Sequence, residues 1–457
     1  MKKKTDSCRQ AARLLQLAWL SAFSWVMLFY PAGIYAGPLT LEQCLETALS
    51  RNPEIAQSRQ ALEAARSRED SARAGLFPEV KLDAATGYRS EITTTRQEAI
   101  TIPTGAGSSM VIPAKEIEIG DNTTTDLSAS LWQPIYTGGA LNAGLDAARA
   151  ARAGADLHVE LKQRDIRRQV IAAFYDLAVA KEFEKIAEAS VVRITGHLND
   201  AQNMLDQGVI LKSDLLPIRM RKLDTELKLV EARNAVARAG AALARSMGLP
   251  PQAGVDIVTA WDNSPPWPLP EAYTQPRTRL EQKIADRQIA AAGALARVEQ
   301  GSRRPTVGVT TSAHYGWPGF VSNDPDWDTW WQAGISASWP IFDMGRRGSR
   351  EQAALAEKRQ MERALDALDG RIAQERVVSR LAYEEACRRR EITAEKVETA
   401  RENYRTQEDH FKVGIATNTD YLDAHTDLLA AEFDLAAARA RVRVAWNDYL
   451  TAMGLEE

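Results

Sequence analysis

The chain has 457 residues, 26% of them charged, with only five His and three Cys. That is long enough for two or three ordinary domains, yet poor in the residue types that metal and thiol chemistry need. A formal charge of −4 offers nothing to attract nucleic acid. Residues 1–36 hold three Lys, two Arg and one Asp, so their removal would take the charge to −8.

Lys2, Lys3, Lys4, Arg9 and Arg13 precede an apolar stretch from Leu14 to Tyr35, and Ala36 stands before Gly37. This predicts a secretory signal peptide over 1–36, cleaved after Ala36. The alternative is an uncleaved anchor, because the stretch is nearly long enough to span a bilayer. Either way the chain leaves the cytoplasm. Cys8 falls within the signal. Cys44 and Cys387 are too few for a disulfide framework and are read as buried apolar fillers. Leu41-Glu42-Gln43 lacks the small residue expected before a lipidated cysteine. After Ala36 there is no apolar run of about 18 residues or more, so a membrane would have to be crossed by strands.

Val80, Leu82, Ala84 and Tyr88 alternate with polar or small residues, as do Leu127, Ala129 and Leu131. Both segments predict strands with one apolar face. Between them, residues 89–125 are rich in Thr, Ser and Gly and read as an exposed loop. From about Ala140 to Asp206 there is no proline, which predicts one helix of roughly 100 Å at ~1.5 Å per residue. A heptad seam runs along it through Val159, Ile166, Val170, Ala173, Leu177, Ala180, Ala187, Val191, Ile194, Leu198, Ala201 and Leu205. After a turn at Gly208 a second seam returns through Leu216, Met220, Leu223, Leu227, Val230, Asn234, Ala237, Ala241 and Ala244, completing an antiparallel helical hairpin.

Residues 127–249 then align without a gap on 333–455, at an offset of 206. Matches include Pro134 with Pro340, Gly208 with Gly414, Asp214 with Asp420 and Met247-Gly248-Leu249 with Met453-Gly454-Leu455. The chain reads as a duplication: a first repeat over 37–249, a proline-rich linker over 250–276 that forbids helix continuation, and a second repeat over 277–457. Val307, Val309 and Ala313, then Ala333, Ile335, Ala337, Trp339 and Ile341, repeat the strand pattern. Four such strands are too few to close a barrel, since the smallest use about eight. Two copies would supply eight and three twelve, and the pattern does not choose. The hairpins are too long to fold back over so small a sheet and are expected to project from it, as a cylinder of packed hairpins or as an ordinary elongated bundle.

Along essentially its whole mature length the chain resembles the TolC-like outer-membrane efflux family. The resemblance is carried by the opening from Leu39 to Val80, by WQPIYTGG at 132–139 and WPIFDMG at 339–345, and by the repeated Val-Gly turn followed by Asp. It implies an α+β membrane protein: a homotrimer with a twelve-stranded barrel, four strands per chain, set in outer-membrane lipid and continued by a periplasmic α-helical coiled-coil tunnel. It also implies a passive exit duct of tripartite efflux or type I secretion, docked to a periplasmic adaptor and an inner-membrane transporter of RND, ABC or MFS type.

Asp420 and Asp423 follow Val413-Gly414 one helical turn apart, so they share a face; the alternative is that Thr419 caps the helix and the aspartates complement its dipole. The resemblance makes them, with Asp214, a cation-selective ring at the pore entrance, and makes the hairpin tips, Gly208, Val209, Val413 and Gly414, contacts for the adaptor. Both glycines are expected at positive φ. Relatives close this end partly through a Tyr and an Arg bonded to the Asp of the first turn; here Phe411 and Ala416 stand there and neither donates such a bond. Trp317, Phe320, Trp327, Trp330, Trp331 and Trp339 read as interfacial aromatics or as a loop-packing cluster. The five histidines lack metal-ligand spacing and read as solvent-facing. There is no nucleophile elbow, phosphate loop or dinucleotide fingerprint, so no enzyme, metal or cofactor is expected. The competing reading is a soluble periplasmic coiled-coil adaptor, which needs only one hairpin.

Overall fold

The computed structural model describes residues 37–91, 93–105, 107, 109–119, 121–259, 261, 265–319 and 326–455. The signal peptide expected over 1–36 and Phe320 lie outside them.

Helix α1 (Leu41–Arg51) starts at a capping box in which the Thr40 hydroxyl accepts from Gln43 N and the Gln43 side chain accepts from Thr40 N. Helix α2 (Pro53–Ala74) begins on a proline, whose missing N–H costs nothing at that position. Eight strands are described: β1 (Glu79–Tyr88), β2 (Thr93–Gln97), β3 (Ile100–Pro103), β4 (Ser109–Ile112), β5 (Lys115–Ile119), β6 (Thr123–Tyr136), β7 (Thr306–Trp317) and β8 (Asp328–Ser338). The helices are α3 (Ala140–Asp206), α4 (Lys212–Ser246), α5 (Leu280–Gly301), α6 (Arg346–Lys412) and α7 (Asn418–Met453). Helices α3 and α6 both have 67 residues and begin 206 positions apart.

Two compact units are built from these elements, and each draws on both halves of the sequence. One takes in residues up to Pro53, Gln163–Thr274 and Val378–Thr451; the other takes in Glu54–Lys162, Gln275–Val377 and the chain from Ala452.

The second unit holds one antiparallel sheet in the order β1-β6-β7-β8. Its register puts Leu82 opposite Ala129, Ala129 opposite Ala313 and Ala313 opposite Trp331. Because side chains alternate along each strand, the apolar series of all four strands fall on one face. On the other face lie Lys81, Asp83, Ser128, Ser130, Ser312, Gln332 and Ser336. The apolar face is not covered within the chain: Val80, Leu82 and Ile335 are 67%, 78% and 78% exposed. Strands β1 and β8 end the order, each with one neighbour.

Residues 89–125 depart from the loop expected there. Strand β2 pairs with β5 and β3 with β4, extending the β1–β6 hairpin as a narrow ribbon tipped by Gly105 and Gly107 at positive φ. The β-branched residues within the Thr-rich composition, Thr93, Thr94, Thr95, Ile100, Ile102, Val111 and Ile112, favour extended backbone.

The first unit is a helical packing of the C-terminal part of α3 with α4, the C-terminal part of α6, and α7. The seam expected on α3 is buried at Ile166, Val170, Leu177, Ala180, Ala187, Ile194 and Ala201. The seam expected on α4 is buried at its last member, Ala244, but not along its earlier length: Leu216, Met220, Leu223, Leu227 and Val230 are between 51% and 60% exposed, while Leu215, Ile218, Thr225 and Ala232 face inward. Helix α4 has neighbours on one side only, and the longer apolar series is on its other side. Helix α7 is buried around most of its circumference, from Tyr421 and Leu422 to Tyr449 and Leu450, and leaves exposed a stripe through Asp420, Asp423, Asp427 and Asp434.

The proline-rich segment is seated on this unit. Leu39 N donates to Asp256 O at 2.8 Å and Val258 N to Leu39 O at 3.0 Å. The hydroxyls of Tyr383 and Tyr449 donate to the carbonyls of Pro266 and Tyr273, both at 2.8 Å.

Candidate functional site at the hairpin turns

The two helical turns are built alike. Helix α3 ends in a Schellman arrangement in which Gly208 at φ +76° donates to Leu205 O and Val209 N reaches back to Met204 O, each at 2.9 Å. Helix α6 ends in the same way, with Gly414 at φ +76° donating to Phe411 O and Ile415 N to His410 O. Both glycines thus occupy the positive φ expected of them. Val209 and Val413 are each 68% exposed, and Leu211 and Ile415 more so. The turns therefore present four apolar side chains, of which sequence reasoning found two; the other two stand two residues further on in each repeat.

Each turn leads into a helix capped by an aspartate at its third position. The Asp214 carboxylate accepts from Leu211 N at 3.0 Å. The Asp420 carboxylate accepts from Thr417 N at 2.9 Å and from the Thr417 hydroxyl at 2.6 Å, while Asp420 N donates back to Thr417 Oγ1 at 3.3 Å. These bonds, the Thr417 hydroxyl first, hold the Asp420 carboxyl below the ordinary aspartate range. The cap is thus Thr417 and not Thr419, because α7 begins at Asn418 and only the residue before it has its side chain directed at the third amide. Asp423 is exposed on the next part of the helix.

A buried polar and aromatic network lies behind the turns, which corrects the expectation of solvent-facing histidines. His197 is 5% and His425 1% exposed. The His197 ring stacks on Tyr421 at 3.6 Å, with Phe411 edge-on at 4.6 Å, and Nε2 meets Asn418 Oδ1 at 3.1 Å. Asn418 Nδ2 donates to the backbone carbonyl of Asp214 at 3.1 Å, so one side chain joins α3, α4 and α7. His425 Nε2 meets Ser190 Oγ at 2.9 Å, and the hydroxyls of Tyr404 and Tyr421 bond to each other at 2.8 Å. Burial pushes both imidazoles down, His425 to about 4. The available signal was positional: His197 stands three residues after Ile194 and four before Ala201, in seam phase. His158 and His410 are exposed as expected. In the sheet His314 meets Asp126 at 3.1 Å and Ser312 at 3.0 Å and stacks on Trp330.

The aromatic residues expected near the second-half strands divide by position. Trp327 stacks on Tyr315 at one end of β7, where Trp317 donates to Asp121 at 3.0 Å. Trp339 donates to Arg303 O at the other end, and Trp331 is 74% exposed on the apolar face. The described residues contain no helix long and apolar enough to cross a membrane.

Residues 44–249 and 281–455 match the family described as outer membrane efflux protein. The chain belongs to that family. Among its relatives, the cobalt-zinc-cadmium resistance protein CzcC of Cupriavidus metallidurans is 27% identical over 244 residues, which is 52% of this chain and 56% of that protein; the match thus spans little more than half the length of this curated relative. The fold is that of solved outer-membrane channels. OprN superposes with a TM-score of 0.74 at 19% identity, covering 91% of this chain and 90% of that one. CmeC of Campylobacter jejuni superposes with a TM-score of 0.75 at 14% identity, covering 91% and 85%. Within this efflux protein Phe411 is buried against the His197 and Tyr421 rings, so that position contributes packing.

Proposed function

We propose that this outer membrane efflux protein, exported by a signal peptide over 1–36, is the exit duct of a tripartite efflux or type I secretion assembly and works as a homotrimer. The observation that carries this is the four-stranded sheet with one apolar face and two strands that each have a single neighbour. Unpaired edges and an uncovered apolar face are both relieved when copies join edge to edge in lipid; three copies make twelve strands, in keeping with the trimeric channels of similar fold. The exposed apolar stripe on α4 supplies the matching contact between helical parts. In this reading Asp420, Asp423 and Asp214 line the entrance as an acidic ring. The tips at Gly208, Val209, Val413 and Gly414 meet a periplasmic adaptor, which couples the duct to an inner-membrane RND, ABC or MFS transporter.

Drugs, metal ions and secreted polypeptides are all conceivable cargo, and the match to CzcC puts metal cations first to be tested. The reading is tested by single-channel recording from the purified mature protein and from Asp420→Asn. Cation-selective openings whose selectivity falls in the variant are expected. A mature chain that stays in solution as a monomer and never enters a bilayer would overturn the reading in favour of a periplasmic adaptor.

A further inference from the structure

The ribbon that continues the β1–β6 hairpin ends in an apex without charge. From Ile100 to Ile112 the sequence is ITIPTGAGSSMVI, and no Asp, Glu, Lys, Arg or His falls within it. Strands β3 and β4 pair Ile100 with Ile112 and Ile102 with Met110. Residues directly opposite share a face, so these four side chains form one apolar surface, with Thr101, Pro103, Ser109 and Val111 on the other. The apolar four are between 40% and 55% exposed. A two-stranded ribbon is marginal by itself in water, and an exposed, uncharged one is a template for another chain. The face calls for a cover.

Lipid does not reach it. In the duct reading the ten residues of β1 are the length a tilted strand needs to cross a membrane, and the apolar band of a barrel is about 25 Å tall. Ile100 lies twelve residues past Tyr88, up to roughly 40 Å of extended chain at ~3.3 Å per residue. The apex thus stands clear of the band, at the end of the sheet away from the helices. Strand β1 ends the sheet order and meets a neighbouring copy when the barrel closes, so every copy brings an identical ribbon to the same rim. Twelve strands at ~4.8 Å spacing and ~40° tilt enclose a mouth of roughly 24 Å. A ribbon of that reach extends past its centre. Charge does not oppose the contact: over residues 93–119 Arg96 and Lys115 stand against Glu98, Glu116 and Glu118, a net −1 per copy, and exposed charges are screened within about 10 Å.

We propose that the apolar faces of β3 and β4 from neighbouring copies pack on one another over the outer mouth of the barrel, forming a cap that cargo must part. The partner is a second copy of this chain, met at a surface separate from the sheet edges. This rests on the duct reading for the number and placement of the copies. The contact between ribbons is tested apart from conduction.

The experiment places a reactive thiol on the ribbon of the full chain. Cys44 and Cys387 are buried and Cys8 falls in the signal peptide, so the thiol of Ile102→Cys is the accessible one among the described residues. A short bis-maleimide added to dilute, detergent-extracted protein should link Ile102→Cys into a covalent dimer, and Thr101→Cys, on the opposite face, about tenfold more slowly. Adding Ile100→Asp and Met110→Asp to Ile102→Cys should abolish the link while sedimentation still reports the assembled oligomer. Equal rates at positions 101 and 102, or a link that survives the two aspartates, would overturn the proposal. If Ile102→Cys does not assemble, Ile112→Cys on the same face decides in the same way. An oligomer that conducts ions yet forms no dimer through this face would remove the cap and leave the duct. A dimer linked through this face in a chain that never conducts would keep the ribbon contact and remove the duct.

Discussion

Ser190 stands four helical residues before Ile194 on the seam of α3, and its hydroxyl is the only polar group bonded to the His425 ring among the described residues. Truncation at Ser190→Ala leaves both ring nitrogens buried without a partner, at a cost of about 1–3 kcal/mol. The pH dependence follows from the same burial. His425 is held at about 4 in the folded chain and titrates near 6.5 when unfolded. A depressed folded pKa means that the neutral histidine contributes its full stability above about pH 6.5 and loses it as pH falls toward 4. Thermal melts of the solubilised protein are therefore expected to fall over that window, and the fall should be shallower in His425→Gln. An equal slope in the two proteins would place the acid sensitivity elsewhere.

At the scale of elements, periodicity was most informative where a strand or helix has a single partner layer. The alternation in β1, β6, β7 and β8 located the strands and the residues of the apolar face, because a period of two admits one register per face. The long helices were legible for want of proline and by the repetition of Gly208 at Gly414. Periodicity could not say which of two apolar stripes on α4 faces the chain's own interior. Leu215 and Ile218 form one stripe and Leu216, Met220 and Leu223 the other, and both have helical spacing. The network at His197 and His425 was hidden for a related reason: its members come from three helices far apart in sequence. The ribbon over β2 to β5 was missed because Thr serves loops and strands alike. The outward stripe carries a prediction. Leu223→Glu, at a side chain 53% exposed in the single chain, should leave the helical content unchanged and shift the detergent-extracted oligomer toward monomer in sedimentation. An unaltered oligomer would show that this stripe is not where copies meet.

At the scale of the molecule, the sheet carries an apolar and a polar face on one strand pattern. A charge placed on either face has the same backbone to occupy, and only the surroundings differ. Leu82, near the middle of β1, belongs to the apolar face, and Gln332 on β8 to the polar one. If lipid covers the first face and water the second, Leu82→Arg near the bilayer midplane costs about 2–4 kcal/mol, while an arginine on the water-filled side costs little and changes ion selectivity. The pair Leu82→Arg and Gln332→Arg is therefore expected to separate cleanly. The first should lower the yield of folded protein in the outer-membrane fraction and the denaturant midpoint. The second should assemble normally and conduct with a reduced preference for cations. A soluble sheet, by contrast, would tolerate arginine on the face that is already exposed in the single chain, so equal folding of the two variants would remove lipid from the account of this surface. Loss of folding at Gln332→Arg alone would invert the assignment of the faces, turning Val80, Leu82 and Ile335 toward the interior of the assembly.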